Sequence, residues 1–127
     1  MTTFEKSAMS AVHTALAQAT SKALELFDEE LFANKESNLI SRGKESRKML
    51  ETFGELTFCR RRYSYQGQNI HLLDEVLGIP RNTSFSASVI NFLASRTRSD
   101  SYESATRDLE ELSGVKVVRA SVKNAIE

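Results

Sequence analysis

The residues best suited to chemistry in this sequence are basic. Arg60, Arg61 and Arg62 form a run that is followed by two tyrosines, and Arg47 and Lys48 precede it closely. Cations interleaved with aromatic rings suit a nucleic acid, whose phosphates bind the cations and whose bases stack on the rings. Because adjacent strand residues face opposite ways, at most two of the three arginines can serve one surface. An ordinary edge strand guarded by charge is the alternative interpretation.

A second basic cluster lies near the C-terminus, in a segment with the form of a helix-turn-helix. Gly114 lies in the connector, and Val122 and Ile126 give the last helix an inward-facing side. The outward side would present groups that suit phosphates and base edges: Lys116, Arg119, Ser121, Lys123 and Asn124. A purely structural helical hairpin has the same pattern. DNA contact and a structural role are both open at this point.

The net charge is zero, because 17 Lys and Arg residues balance 17 Asp and Glu residues. This balance excludes a uniformly basic protein that coats DNA. The charge is nevertheless segregated, since residues 39–66 hold seven Lys or Arg residues and three acids. A neutral chain of this kind can still present a positive patch to a polyanion.

No catalytic or metal-binding constellation is evident, so we expect no enzyme activity, no metal and no cofactor. His13 and His71 are far apart and lie among apolar residues. Asp74 and Glu75 are adjacent, and neighbours on a helix diverge by about 100°, which prevents a metal pair. Cys59 has no histidine partner by spacing and is predicted to be a small buried residue.

The compartment is predicted to be the cytoplasm. One cysteine excludes an intramolecular disulfide, and no apolar run approaches the length of a membrane span or forms the core of a signal peptide. We therefore expect a reduced protein without a membrane partner.

Periodicity predicts a mostly α-helical α+β fold with a small antiparallel hairpin or meander. Residues 1–38 are assigned to a long amphipathic helix, which is a possible dimerisation arm, and residues 39–127 to a small α+β domain. Within that domain, residues 48–71 are predicted to form basic strands and residues 84–127 the helical part. Residues 34–47 are polar, contain a glycine, and are predicted to be a connector.

The N-terminal helix is longer than a small domain needs. About 30 residues at about 1.5 Å each give roughly 45 Å. Its apolar stripe either packs on the chain's own core or pairs with another subunit, and its length favours a homodimer or larger assembly. The stripe consists of Phe4, Ala8, Ala11 or Val12, Ala15, Ala19, Ala23, Leu26 or Phe27, and Leu31.

Three segments in fixed order resemble one family. They are Glu51–Tyr63 (ETFGELTFCRRRY), Leu72–Ile79 (LLDEVLGI) and Ser101–Val115 (SYESATRDLEELSGV). Together they are similar to a hairpin, a box and a helix in the N-terminal region of bacterial insertion-sequence transposases of the Kra and Lre groups. The resemblance covers about residues 45–127.

The resemblance implies a region for DNA binding and assembly, taken from a mobile genetic element that moves by DNA recombination. The family's RNase H-like nuclease domain would begin where this chain stops, so no catalytic acid is assigned. Two departures matter: Tyr65–Gln68 lacks the cysteine pair of some relatives, so zinc is not expected, and Val118–Val122 departs from the family's recognition-helix pattern.

Two functions follow as expectations. The first is a transposase-derived protein that binds double-stranded DNA at element ends or acts as a regulator, with about six to eight cations on phosphates. The second is a transposase-derived module for protein–protein interaction, such as an inhibitor, adaptor or scaffold, which does not bind DNA.

Overall fold

The computed structural model describes residues 2–80, 83–99, 101–117 and 121–122. The fold is α+β, as predicted, with three antiparallel strands in the order β1-β2-β3 and helices before and after them. No helix among the described residues is both long and apolar enough to cross a bilayer. The elements are α1 (Thr3–Ala33), β1 (Ile40–Glu51), β2 (Gly54–Tyr65), β3 (Gln68–Ile70), α2 (Leu72–Leu77), α3 (Ala87–Ser99) and α4 (Tyr102–Ser113).

Helix α1 begins where the sequence predicts, because the Thr2 hydroxyl caps it by accepting the Glu5 N–H at 3.1 Å. Its buried face agrees with the predicted stripe only in the last turns. Phe27 and Leu31 of that stripe pack on the core together with Leu24, whereas the stripe from Phe4 to Leu26 is exposed. Large side chains at three- and four-residue steps bury more apolar area than the alanines of that stripe.

Strand β1 begins at Ile40, so the prediction of a connector over residues 34–47 is wrong for its second half. Cross-strand pairing with β2 overrides the polar composition. Glu45 lies opposite Arg60, which places opposite charges next to each other. Gly43, with φ +105°, lies at the register shift between Ser41 and Lys44, where β1 has a bulge.

Two hydrophobic clusters hold the elements together. The first joins the sheet, α1 and α2 around four buried residues: Met49, Leu56, Phe58 and Leu73. The second joins the end of β1 to the C-terminal helices through Leu50, Phe85, Val89, Leu93, Ala105, Leu109 and Val122.

Leu50 links the sheet to the second cluster. Its N–H donates to the Ser84 carbonyl at 2.6 Å, and its carbonyl accepts the Ser86 N–H at 2.9 Å. This short parallel bridge keeps residues 84–86 extended, so α3 begins at Ala87 and not near Ser84. Helix α4 has the predicted cap, because Ser101 accepts the Ser104 N–H.

Two glycines, Gly54 and Gly114, lie close to the same residue of α1, His13. A Cβ on Gly54 would lie 3.6 Å from the His13 carbonyl oxygen, and a Cβ on Gly114 would lie 2.7 Å from His13 Nδ1. Both glycines have positive φ. The hairpin turn and the end of α4 therefore both approach α1 at His13, and an added side chain would collide there at Gly114 but make only ordinary contact at Gly54.

We expect Gly114→Ala to destabilise the fold by about 2 kcal/mol or more, since it adds a steric clash to a left-handed backbone. Gly67→Ala is the matched control, because Gly67 has φ +77° with open space around it, and it should cost about 1 kcal/mol. Urea denaturation measures both. His13→Ala should recover part of the Gly114→Ala loss, and equal losses at the two glycines would refute the contact.

Candidate nucleic-acid interface

Arg47 and Arg60 share one buried carboxylate. Asp74 Oδ2 accepts from Arg47 Nη1 at 2.8 Å and from Arg60 Nη2 at 3.2 Å, and Asp74 Oδ1 accepts from Arg60 Nε at 3.3 Å. The three side chains are only 8 to 12% exposed. Asp74 comes from α2 and the arginines from β1 and β2, so this cluster fixes the short helix against the sheet.

The remaining donors of the two guanidinium groups bind backbone carbonyls. Arg47 Nη2 donates to the carbonyl oxygens of Pro80 and Thr83, the latter at 3.1 Å. Arg60 Nη1 donates to the carbonyls of Glu45 at 3.2 Å and Ser46 at 3.4 Å. Every terminal nitrogen of the two guanidinium groups therefore donates to an acceptor within the chain.

Arg61 points to the other side of the strand, as strand alternation predicts, and binds acids of α1. Its Nη1 lies 3.0 Å from Asp28 Oδ2, and its Nη2 lies 3.0 Å from both carboxylate oxygens of Glu29. The guanidinium also covers the Phe32 ring, at 4.2 Å from the centroid. Burial lowers the pKa of Arg61, but the hydrogen bond and charge of Glu29, helped by Asp28, outweigh it and raise the pKa overall.

Two acids of α1, Glu25 and Asp28, close the open edge of β2. Strand β3 pairs only with Tyr63–Tyr65, so the outer edge of the preceding residues has no strand partner within the described chain. There the Cys59 N–H donates to Glu25 Oε2 at 2.8 Å, and the Arg61 N–H donates to Asp28 Oδ1 at 3.2 Å. Carboxylates of α1 thus replace the carbonyls of a missing strand.

The sequence prediction that Arg47, Arg60 and Arg61 bind DNA is therefore revised. Their donors are directed at Asp74, Asp28, Glu29 and backbone carbonyls, and we assign all three to the fold. Sequence reasoning treated a run of arginines as a solvated strand, because the two neutralising aspartates lie far away along the chain.

The other predicted DNA contacts fall into two groups. Lys48, Lys116 and Ser121 are exposed, and Arg62 is half-buried on β2. No described carboxylate forms an ion pair with Lys48, Arg62 or Lys116. Arg119, Lys123 and Asn124 lie outside the described residues, and so does Ile126.

The C-terminal segment packs as a helix cluster. Val122 is fully buried with Val89 and Leu93 of α3 and Ala105 and Leu109 of α4, whereas its neighbour Ser121 is exposed. Val122 thus faces the core, as the sequence predicts for this position.

The connector before this helix is held by side chains of α4. The Val117 N–H donates to Glu110 Oε2 at 2.8 Å, and the Val115 N–H donates to the Ser113 hydroxyl at 3.2 Å. Gly114 closes α4 with φ +74°, and its N–H donates to the Glu110 carbonyl. These contacts fix the connector against the end of α4.

His71, Cys59 and the potential metal ligands are the remaining side chains that could carry chemistry. His71 Nε2 lies 2.8 Å from Glu45 Oε1, and this hydrogen bond lowers the pKa of Glu45. Cys59 is exposed, so the prediction that it is buried is wrong; it alternates with Phe58 and Arg60 and faces away from the core. No group of three potential metal ligands occurs among the described residues.

Asp28 is the residue that sequence reasoning missed. It is 2% exposed and takes part in both the ion pair and the edge contact. A signal was available, because Asp28 follows Phe27 and lies four residues after Leu24, on the face that α1 buries. An acid on such a face predicts a buried cationic partner.

We expect Asp74→Asn to destabilise the fold by about 3 kcal/mol, because it leaves two buried guanidinium groups without a countercharge. Glu55→Gln, on an exposed position of β2, is the control and should change stability by less than about 0.5 kcal/mol. Chemical denaturation of both variants gives the comparison. An Asp74→Asn protein as stable as the control would show that the cluster is dispensable.

Glu29 makes a pH-dependent contribution. Its hydrogen bonds to Arg61 and then Lys44 lower its pKa below 4.5. A lowered carboxylate pKa stabilises the fold above the unfolded-state pKa, and this contribution is lost as the pH falls through the folded-state value.

Glu29→Gln should therefore be less stable than the natural chain at neutral pH, and the difference should vanish towards about pH 3. Denaturation at several pH values measures this, with Glu36→Gln in the exposed connector as the control. A difference that persists unchanged in acid would contradict the ion pair.

The model of one protein family, described as Uncharacterised protein family (UPF0236), matches residues 1–127, which is the whole chain. No curated protein matches the sequence. The three segments that resemble transposases, the arginine cluster around Asp74 and the C-terminal helix cluster all lie within the matched residues. The chain thus belongs to UPF0236.

Proposed function

We propose that the chain binds double-stranded DNA through its C-terminal helical hairpin, as the DNA-binding region of a transposase-like protein. The observation that carries this proposal is that Val122 is buried against α3 and α4 while its neighbour Ser121 is exposed. In a helix-turn-helix, the recognition helix likewise packs one side on supporting helices and leaves the other side for DNA.

The connector supports the proposal, because a recognition helix must keep a fixed direction to reach a groove. Glu110 and Ser113 of α4 bind the N–H groups of Val117 and Val115. Lys116 lies between those two residues and is exposed. A cation at this place would meet a phosphate beside the groove that the helix enters.

The remaining predicted side chains are close to Ser121 in the sequence. Arg119, Lys123 and Asn124 flank Ser121, and phosphate contacts plus base-edge contacts require this mixture of cations and amides. Without the three engaged arginines, about five cations of the predicted set remain for phosphates, so log K should fall with log salt at a slope of about −4.

The resemblance to the Kra and Lre transposases supports the element ends as the DNA target. The segment Ser101–Val115 corresponds to α4 and its cap, which support the last helix. A protein that occupies element ends through this region would act there as a regulator or a competitor.

The test is the affinity for duplex DNA at two salt concentrations. Ser121→Glu and Lys116→Glu should each weaken binding by about tenfold, since each places a negative charge against phosphates. The matched controls are Ser7→Glu and Lys22→Glu, which make the same changes at exposed positions of α1.

The controls should retain the affinity of the natural chain. Absence of duplex binding at low salt would refute the proposal, and equal losses at the α1 controls would show that only net charge matters. Arg61→Gln should lower the free energy of unfolding. The protein that remains folded should bind DNA with an unchanged slope of log K against log salt.

A second candidate is a protein–protein interaction module that does not bind DNA, such as an inhibitor, adaptor or scaffold. One observation favours it: α1 exposes Phe4, Met9, Val12, Leu16 and Leu26, each at 44 to 82%. Self-association through this helix stays a prediction from its length. Two results together would favour this candidate: the chain does not bind duplex DNA, and α1 is required for assembly.

A further inference from the structure

Helix α1 carries a second apolar stripe that its own core does not cover. Met9, Val12, Leu16 and Leu26 are 44 to 57% exposed, and Ala19 and Ala23 are exposed between them. The six positions are separated by steps of three, four, three, four and three residues. This is the a/d spacing of a coiled-coil seam.

The stripe points away from the part of α1 that packs on the sheet. At about 100° per residue, its centre lies roughly 120° around the helix from the face of Ala17, Leu24 and Leu31. The two apolar faces therefore have different partners. One partner is the chain's own sheet, and the other is absent from a single copy.

We propose that a second copy of this chain covers the stripe, with the two α1 helices antiparallel and in the register that places residues whose numbers sum to 35 opposite each other. In this register Met9 lies opposite Leu26 of the partner subunit. The four inner layers place Leu16 against Ala19 and Val12 against Ala23, so that a large side chain meets a small one in each of them. The two outer layers pair Met9 with Leu26, and the seam is self-complementary.

Charge favours the same direction. In the second half of α1, Asp28 and Glu29 are paired with Arg61 and Lys44, which leaves Glu25 and Glu30 against one lysine, Lys22; the first half holds Glu5 and Lys6. A parallel pair would bring two acidic halves together. The antiparallel pair places each acidic half beside a neutral one and opposes the helix dipoles favourably.

The area is sufficient for a weak dimer. The exposed fractions of the four large residues and the alanines correspond to about 500 Å² per copy, or about 1,000 Å² for the pair, which is near the lower limit for a specific interface. The dimer should therefore dissociate on dilution. This inference goes beyond DNA binding and does not depend on it, because no residue of the hairpin lies in the seam.

Sedimentation of the 127-residue chain over a range of concentrations tests the surface. The mass should rise from that of one copy towards twice that value, and Ala19→Glu should abolish the rise. Ala11→Glu is the matched control, because Ala11 is also exposed on α1 but lies about 100° from the centre of the stripe. The control should dimerise like the natural chain.

Cysteine cross-linking tests the direction. In a Cys59→Ser background, chains with Met9→Cys and chains with Leu26→Cys should form a disulfide with each other when mixed and oxidised, and neither should link to itself. The two positions are about 25 Å apart on one helix, so a parallel pair would give the opposite result.

Four outcomes overturn the proposal: a single-copy mass at every concentration, equal effects of Ala19→Glu and Ala11→Glu, self-linking of either cysteine variant, or no cross-link in the mixture. None of them involves DNA, so they leave the proposed function standing. Conversely, loss of DNA binding in a chain that still dimerises would refute the proposed function alone.

Discussion

The rest of the structure depends on how the outer edge of β2 is satisfied. Strand β3 covers only three residues of that edge, and unpaired N–H groups beyond it would either bind water or recruit another strand. Asp28 and Glu25 of α1 accept the N–H groups of Arg61 and Cys59 instead. The helix therefore serves as the missing neighbour, and its position along the strand is fixed by these two acids.

Buried ion pairs of this kind specify an arrangement more than they stabilise it. The desolvation of Arg61 and Asp28 offsets much of their attraction, so an apolar pair of the same volume could be as stable. A slip of β2 by one residue, however, would direct Arg61 towards the apolar cluster and leave Asp28 buried without a cation. The aspartates thus exclude wrong registers, which a sheet of largely polar β1 residues would otherwise permit.

The sequence predicted the elements better than the partners. The cap at Thr2, the end of α2 at Gly78 and the cap of α4 at Ser101 depend on the backbone of a few adjacent residues, and signals of this local kind can be read from a sequence. The start of β1 was missed because its polar residues are held by β2, and the start of α3 was missed because Leu50 keeps residues 84–86 extended.

The DNA-contact set was predicted from residue type, and residue type does not reveal whether a cation is already neutralised. This limit applies to Arg47, Arg60 and Arg61, whose charges are neutralised by acids of the same chain. Their carboxylate partners come from α1 and α2, which lie on either side of the strands in sequence. Asp28 and Asp74 each stand beside apolar residues, and an acid in such a setting was the one available sign.

The same pairing explains why the segregated charge of the sequence does not become a positive sheet. Residues 39–66 carry an excess of cations, but Asp28, Glu29 and Asp74 come from outside that block and lie against four of them. A polyanion approaching the strands would have to displace buried carboxylates, which costs several kcal/mol per ion. At the hairpin, Lys116 and Ser121 are already exposed, and no such displacement is required. This difference in desolvation cost favours the proposed nucleic-acid contact at the C-terminal segment over contact at the arginine run.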